Sequence, residues 1–314
     1  MKKYMRWRSL LPFALLWASA TAQAYQGDLH QQLTFLSAKQ LNRCDVVWRG
    51  QTHDLPNESA LPAHRLSALD MRYVVRANVA RSKGNFFGRM FRWNYFDISR
   101  DSSETLWGMF DTRFNARFDR MTDSLTGAAE QRTRLEAFGE MLSYLQDVTT
   151  PARVVPVYTG RWWAFSMQDR FDRYPVDTNR LESHGGALCA DVAEQLKQLQ
   201  SLETPQALRS LLADTAYQTL SAVNGEILGM PTRWSAFWQP SVKDPGADFG
   251  DYGTAGNNFG NRVTFRCPTE ADPKMRCLLL KDDPLYQEFA FERHRQAVSS
   301  TMLAMLLAQG LTQI

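Results

Sequence analysis

The sequence predicts an all-α protein, one domain built from many helices. Three observations carry this. Apolar residues recur at three- and four-residue spacing along most of the chain. Runs that alternate apolar with polar residues, the mark of half-buried strands, are nearly absent. The 314 residues are 44% hydrophobic and 22% charged, ordinary usage for a folded domain and unlike a disordered or fibrous chain. No internal repeat and no low-complexity linker divides the chain.

The N-terminal segment stands apart. Residues 1–24 read MKKYMRWRSLLPFALLWASATAQA. Lys2, Lys3, Arg6 and Arg8 form a basic start, residues 10–18 are a short apolar run, and Ala22-Gln23-Ala24 is a small-x-small cleavage site. This layout is that of a secretory signal peptide, with an apolar run too short to span a bilayer. The expected organisation is therefore a signal peptide over 1–24 and a helical domain over 25–314. Cleavage changes the charge balance. The whole chain is +3 with 36 basic and 33 acidic residues; without the four cations it is −1. The basic isoelectric point thus gives no specific nucleic-acid signal. No later apolar run is long enough for a transmembrane segment. The expected location is exported, periplasmic or secreted.

Helices are expected over 29–42, where Leu29, Leu33, Leu36 and Leu41 share a face, then over 61–82 and over 104–123, with Leu106, Phe110, Phe114 and Phe118 at four-residue intervals. Further helices are expected over 128–147, 162–174, 187–202, 205–227 and 285–309. In the last, Val298, Met302, Met305 and Leu306 form a core stripe. Residues 246–261, GADFGDYGTAGNNFGN, read as a loop. All four cysteines fall after the signal segment, and an exported chain permits disulfides. Cys267 and Cys277 bracket a turn-rich PTEADPKMR and are expected to pair, which leaves Cys44 for Cys189. A four-thiolate zinc site is the rival, but no Cys-x-x-Cys pair supports it.

Common catalytic signatures are missing: there is no Gly-x-Ser-x-Gly, no His-Glu-x-x-His, no phosphate-binding Gly-Lys-Ser/Thr loop and no dinucleotide fingerprint. The informative stretch is FGEMLSYLQDVTTPAR. Ser143 and Asp147 lie four apart on one helix face, and the helix ends before Pro151. Phe165 and Asp169 repeat the spacing on the next expected helix. Two helices facing a common space in this way can build a ligand or metal site, or can simply pack.

In this order and spacing the chain resembles the zinc-dependent phospholipase C and single-strand-specific zinc nuclease superfamily. The resemblance implies an all-α fold and a trinuclear zinc site that hydrolyses phosphodiesters. It aligns Tyr25, the residue exposed by cleavage, with the family's N-terminal aromatic ligand, and His30 in YQGDLHQQL with the first His. Asp70 aligns with the early Asp. Asn94, in WNYFD, stands at a His position. In LSYLQDVTTPAR, Ser143 replaces a His, Asp147 matches the Asp, and Arg153 replaces the His after Pro. Phe165 replaces His and Asp169 replaces Glu in WAFSMQDRF.

These replacements change the chemistry. Zinc takes thiolate, imidazole or carboxylate ligands. Asn and Ser are poor ligands, Phe cannot ligate, and Arg is permanently cationic. By this alignment only His30 survives among the imidazoles. A reduced site would comprise Tyr25, His30, Asp147 and Asp169, with at most one zinc; catalytic roles would fall to Asp70 and Asp147. Asn94, Ser143, Arg153, Phe165, Trp162 and Trp163 would line the pocket, although the tryptophans suit core filling and loop anchoring better. Arg153 is expected to pair with Asp147 or Asp169, replacing the metal with fixed charge. His53, His64 and His184 are expected to be exposed or capping. Three functions remain open. One is a non-catalytic binding or accessory protein for a phosphodiester or lipid head group. Another is a phosphodiester hydrolase with a reduced metal site, acting on phospholipid or nucleic acid. The last is a structural partner of another exported protein.

Overall fold

Every residue from 141 to 155 is buried, and this segment is the centre around which the helices are laid. The computed structural model describes residues 27–50, 67–82, 95–97, 114–155, 157, 169–241 and 250–309. Among them the helices are α1 (Gly27–Gly50), α2 (Ala68–Ser82), α3 (Phe114–Gly127), α4 (Gln131–Asp147), α5 (Pro151–Val154), α6 (Thr178–Ser183), α7 (Gly185–Leu199), α8 (Thr204–Asn224) and α9 (Pro284–Leu307). The all-α expectation holds.

Local chemistry sets most of the boundaries. Ser67 and Asp70 start α2: the Ser67 hydroxyl donates to the Asp70 carboxylate at 2.7 Å and accepts from the Asp70 backbone N–H at 3.1 Å. This reciprocal cap satisfies N–H groups that the first turn leaves without partners. The helix therefore begins at Ala68; the earlier part expected from 61 lies outside the described residues, as does 104–113. Pro151 opens α5 at a first-turn position, where its missing N–H costs nothing, so the stretch between the helices expected over 128–147 and 162–174 contains a short helix. Asp283 caps α9, accepting from the Leu285 N–H at 3.1 Å.

In α9 residues 297–306 are buried on every side, and the expected stripe of Val298, Met302, Met305 and Leu306 lies in the core. A helix buried all round belongs at the middle of a bundle. α2 crosses α4 closely because position 139 is glycine: a Cβ there would collide with the Val74 carbonyl oxygen and meet the Ala77 Cβ at 2.8 Å. One part of this core is aromatic. Trp234, Trp238 and Phe259 pack against Phe289 of α9, with ring centroids 4.5, 5.9 and 5.7 Å away.

Two expectations are corrected. Residues 169–174 are not part of an α-helix; they form a single 3-10 turn over Phe171–Arg173. A small antiparallel hairpin, β1 (Val263–Arg266) with β2 (Arg276–Leu279), pairs Phe265 with Cys277. Its strands have four residues each, too short to show the alternation that reveals a strand. The two expected disulfides form. Cys267–Cys277 closes the hairpin and Cys44–Cys189 ties α1 to α7, with Cα separations of 5.7 and 5.2 Å. No described helix is long and apolar enough to cross a membrane.

Candidate functional site

α1 turns a polar row inward. His30, Thr34 and Ser37, at i, i+4 and i+7, are all fully buried beside Leu33. Opposite them ends α4, whose last two residues are Gln146 and Asp147. These consecutive side chains bracket one imidazole. His30 Nδ1 lies 2.6 Å from Gln146 Oε1, and His30 Nε2 lies 3.2 Å from Asp147 Oδ1.

Gln146 is the hub. Its amide nitrogen donates to Thr34 Oγ1 at 2.9 Å and to Thr301 Oγ1 at 3.3 Å. Asn78 of α2 donates to Thr34 Oγ1 at 3.0 Å and to Gln146 Oε1 at 3.2 Å. Four helices, α1, α2, α4 and α9, thus meet through one buried polar network. Such networks specify packing when each member is satisfied and are costly when one partner is lost. The sequence reading missed Thr34, Asn78, Gln146 and Thr301.

The end of α4 is held from below. Thr149 and Thr150 return their hydroxyls to the carbonyls of Gln146 and Asp147, at 2.7 and 2.8 Å. The turn then carries Arg153 on α5, buried, with its carbonyl accepting from the Phe96 N–H at 2.8 Å. Burial alone would push the Asp147 carboxyl up. The charge and hydrogen bond of His30, followed by the charges of Arg153 and Arg81, outweigh it and hold the carboxyl below the usual range. Arg81 also donates to the Tyr144 hydroxyl at 2.8 Å. Glu140, one turn behind Ser143, is pushed up by burial, against the pull of Arg81.

The remaining expected site residues separate. Ser143 donates to the Glu140 carbonyl of its own helix at 2.8 Å, so its hydroxyl serves the backbone. Asp70, expected as catalytic, instead caps α2; it lies two turns before Asn78, about 12 Å along the helix axis. Asp169, expected as a ligand, is buried and spent on structure. It accepts from the Phe171 N–H at 2.9 Å, and from Trp238 Nε1 and the Tyr252 hydroxyl at 2.8 Å each. It is not among the charges that set the ionisation of Asp147. His184 is exposed at the junction of α6 and α7, its Nδ1 2.9 Å from the Arg180 carbonyl, the capping role expected. Tyr25, Asn94, Trp162, Trp163, Phe165, His53 and His64 lie outside the described residues.

The donor set can be tested against zinc. A catalytic zinc needs three protein ligands and an open position. Among the described residues no group of three His, Cys, Asp or Glu side chains converges. His30 and Asp147 are two, and the nearby charges of Arg153 and Arg81 oppose a dication. The described residues therefore do not fit a trinuclear zinc group. Nor does the pair suit general base catalysis, which needs a nitrogen within reach of a substrate proton. Both nitrogens of this buried ring face protein oxygens. No family model, curated protein or solved structure matches the chain.

Proposed function

We propose that this chain is an exported, non-catalytic binding or accessory protein on a helical scaffold like that of the zinc phospholipases C and nucleases, with the metal chemistry replaced by a protein-only ion-pair network. One observation carries the reading. His30, the imidazole that stands where the resemblance places a zinc ligand, is hydrogen-bonded to Gln146 through Nδ1 and has the Asp147 carboxylate 3.2 Å from Nε2. Arg153 and Arg81 add the fixed positive charge that Asp147 experiences. Guanidinium charge holds a carboxylate in place but offers neither an open coordination position nor an activated water. Export is supported by the two disulfides, which persist in oxidising compartments.

The test is metal content and activity together. The chain is expressed with its signal segment, recovered from the exported fraction, and assayed for bound zinc and for hydrolysis of bis-(4-nitrophenyl) phosphate. The expected result is substoichiometric zinc and no hydrolysis above background, with or without added metal. Near-stoichiometric zinc with chelator-sensitive hydrolysis overturns the proposal and establishes a hydrolase with a reduced site.

A further inference from the structure

α1 has a second face. While His30, Thr34 and Ser37 point inward, Gln31 and Phe35 point outward and are exposed. Beside them runs the outer face of α2, with Arg72 and Arg76 one turn apart and both exposed. Between the two helices lies an open groove of about 400 Å³, lined by Gln31, Phe35, Arg72, Val75, Arg76 and Val79 among others. Its volume falls in the range of small-molecule sites, about 300–1,000 Å³.

The chemistry of the lining is uneven in a way that packing does not require. Arg72 and Arg76 carry like charge at i, i+4, which costs a helix a few tenths of a kcal/mol at about this spacing. Among the described residues neither guanidinium makes a hydrogen bond or an ion pair. Lys39 and Arg43, farther along α1, instead share Glu182 at 2.6 and 3.2 Å. The floor of the groove is apolar, with Val75 buried, and Phe35 keeps 46% of its surface exposed. One turn before Arg72 on the same face, Leu69 is 61% exposed. Two free guanidinium forks above an apolar floor match an acidic group attached to an apolar body.

We propose that the groove between α1 and α2 binds a free anionic amphiphile, a phosphate or carboxylate head on a short apolar tail, with Arg72 and Arg76 taking the head and Phe35, Val75 and Val79 the tail. An inorganic anion would leave most of the volume unused. The concave shape suits a molecule rather than a flat bilayer. The inference does not depend on the reading of the His30 network, because the two faces of α1 share no side chain.

The test is calorimetric titration of the 25–314 chain with dihexanoyl phosphatidic acid below its micelle concentration, with inorganic phosphate and dihexanoyl phosphatidylcholine as comparisons. Binding of the phosphatidic acid is expected, with phosphate alone and the zwitterionic lipid weaker by about tenfold or more, the scale of one charged contact. Arg72→Gln with Arg76→Gln is expected to lower affinity by a similar factor, and Phe35→Ser to weaken phosphatidic acid but not phosphate. Both sites are exposed, and circular dichroism checks that the variants stay folded. Equal affinity for phosphatidylcholine, unchanged affinity in the double variant, or no heat at all overturns the proposal. Co-sedimentation with phosphatidic-acid vesicles without binding of the monomer also overturns it, in favour of a membrane surface.

Discussion

Replacing His30 by Phe tests whether the buried network is a structural device. The imidazole is fully buried and the Asp147 side chain is 7% accessible. Removing the ring leaves the Asp147 carboxylate without its nearest side-chain partner, and breaking one partner of a buried pair costs about 3–5 kcal/mol. Arg153 and Arg81 remain to act on the carboxylate, which places the expectation at the lower end, about 3 kcal/mol. Gln146 Oε1 keeps the hydrogen bond from Asn78 at 3.2 Å, so no second group is orphaned. Replacing Asp147 by Leu in the same chain removes the buried charge, and the double variant should recover about 2 kcal/mol relative to the sum of the single losses. The assay is urea unfolding under non-reducing conditions, comparing midpoints at constant slope, with chelator and with zinc. A loss below about 1 kcal/mol for His30→Phe, or a wild-type chain that chelator destabilises, refutes the reasoning.

Two further outcomes follow from the same structure. His294 is buried and its pKa is pushed down to about 3, by burial first and then by Arg293; the unfolded chain binds its proton near pH 6.5. Because the unfolded state holds more protons between those values, stability rises with pH there and is lost as pH falls. Urea unfolding should show His294→Met losing about 3 kcal/mol less than wild type between pH 7 and pH 4, and equal losses would refute it. The disulfides should differ in weight. Cys44–Cys189 spans 145 residues and Cys267–Cys277 spans 10, which by loop-closure entropy gives about 5 and about 3 kcal/mol. Paired Cys→Ala variants measured by urea midpoint should keep that order.

What the sequence made legible was whatever repeats at a fixed interval or can be counted. The leucine face of α1 and the core stripe of α9 show helical period, and a turn-rich segment between two of the four cysteines leaves few pairings. The buried network shows neither property. Thr34, Asn78, Gln146 and Thr301 are single polar residues on four helices, and Gln146 reaches partners 112 and 155 positions away. One signal was available: His30, Thr34 and Ser37 make a polar row beside Leu33, and a polar row on an inward face demands partners. Asp169 misled for a related reason. Its four-residue spacing from Phe165 looked helical, but its donors lie 69 and 83 residues onward, at Trp238 and Tyr252. Spacing reports a face only where the helix exists.

The two faces of α1 make separable demands on the same helix. The inward face brings His30 against the Asp147 carboxylate, on which the charges of Arg153 and Arg81 also act, beside a segment buried without interruption from 141 to 155. Charge placed there answers other protein charge, so its loss is read as instability. The outward face carries Gln31 and Phe35, opposite Arg72 and Arg76 of α2, around a groove open to solvent. Charge placed there answers nothing else in the described structure, and exposed pairs contribute little to stability in any case, about 0–1 kcal/mol. Its loss should be read in ligand affinity instead. A His30 variant that unfolds easily yet, when folded, still binds an anionic amphiphile, and an Arg72/Arg76 variant with wild-type stability that does not, would together place binding in the outer groove between α1 and α2 and structure on the inner face of α1.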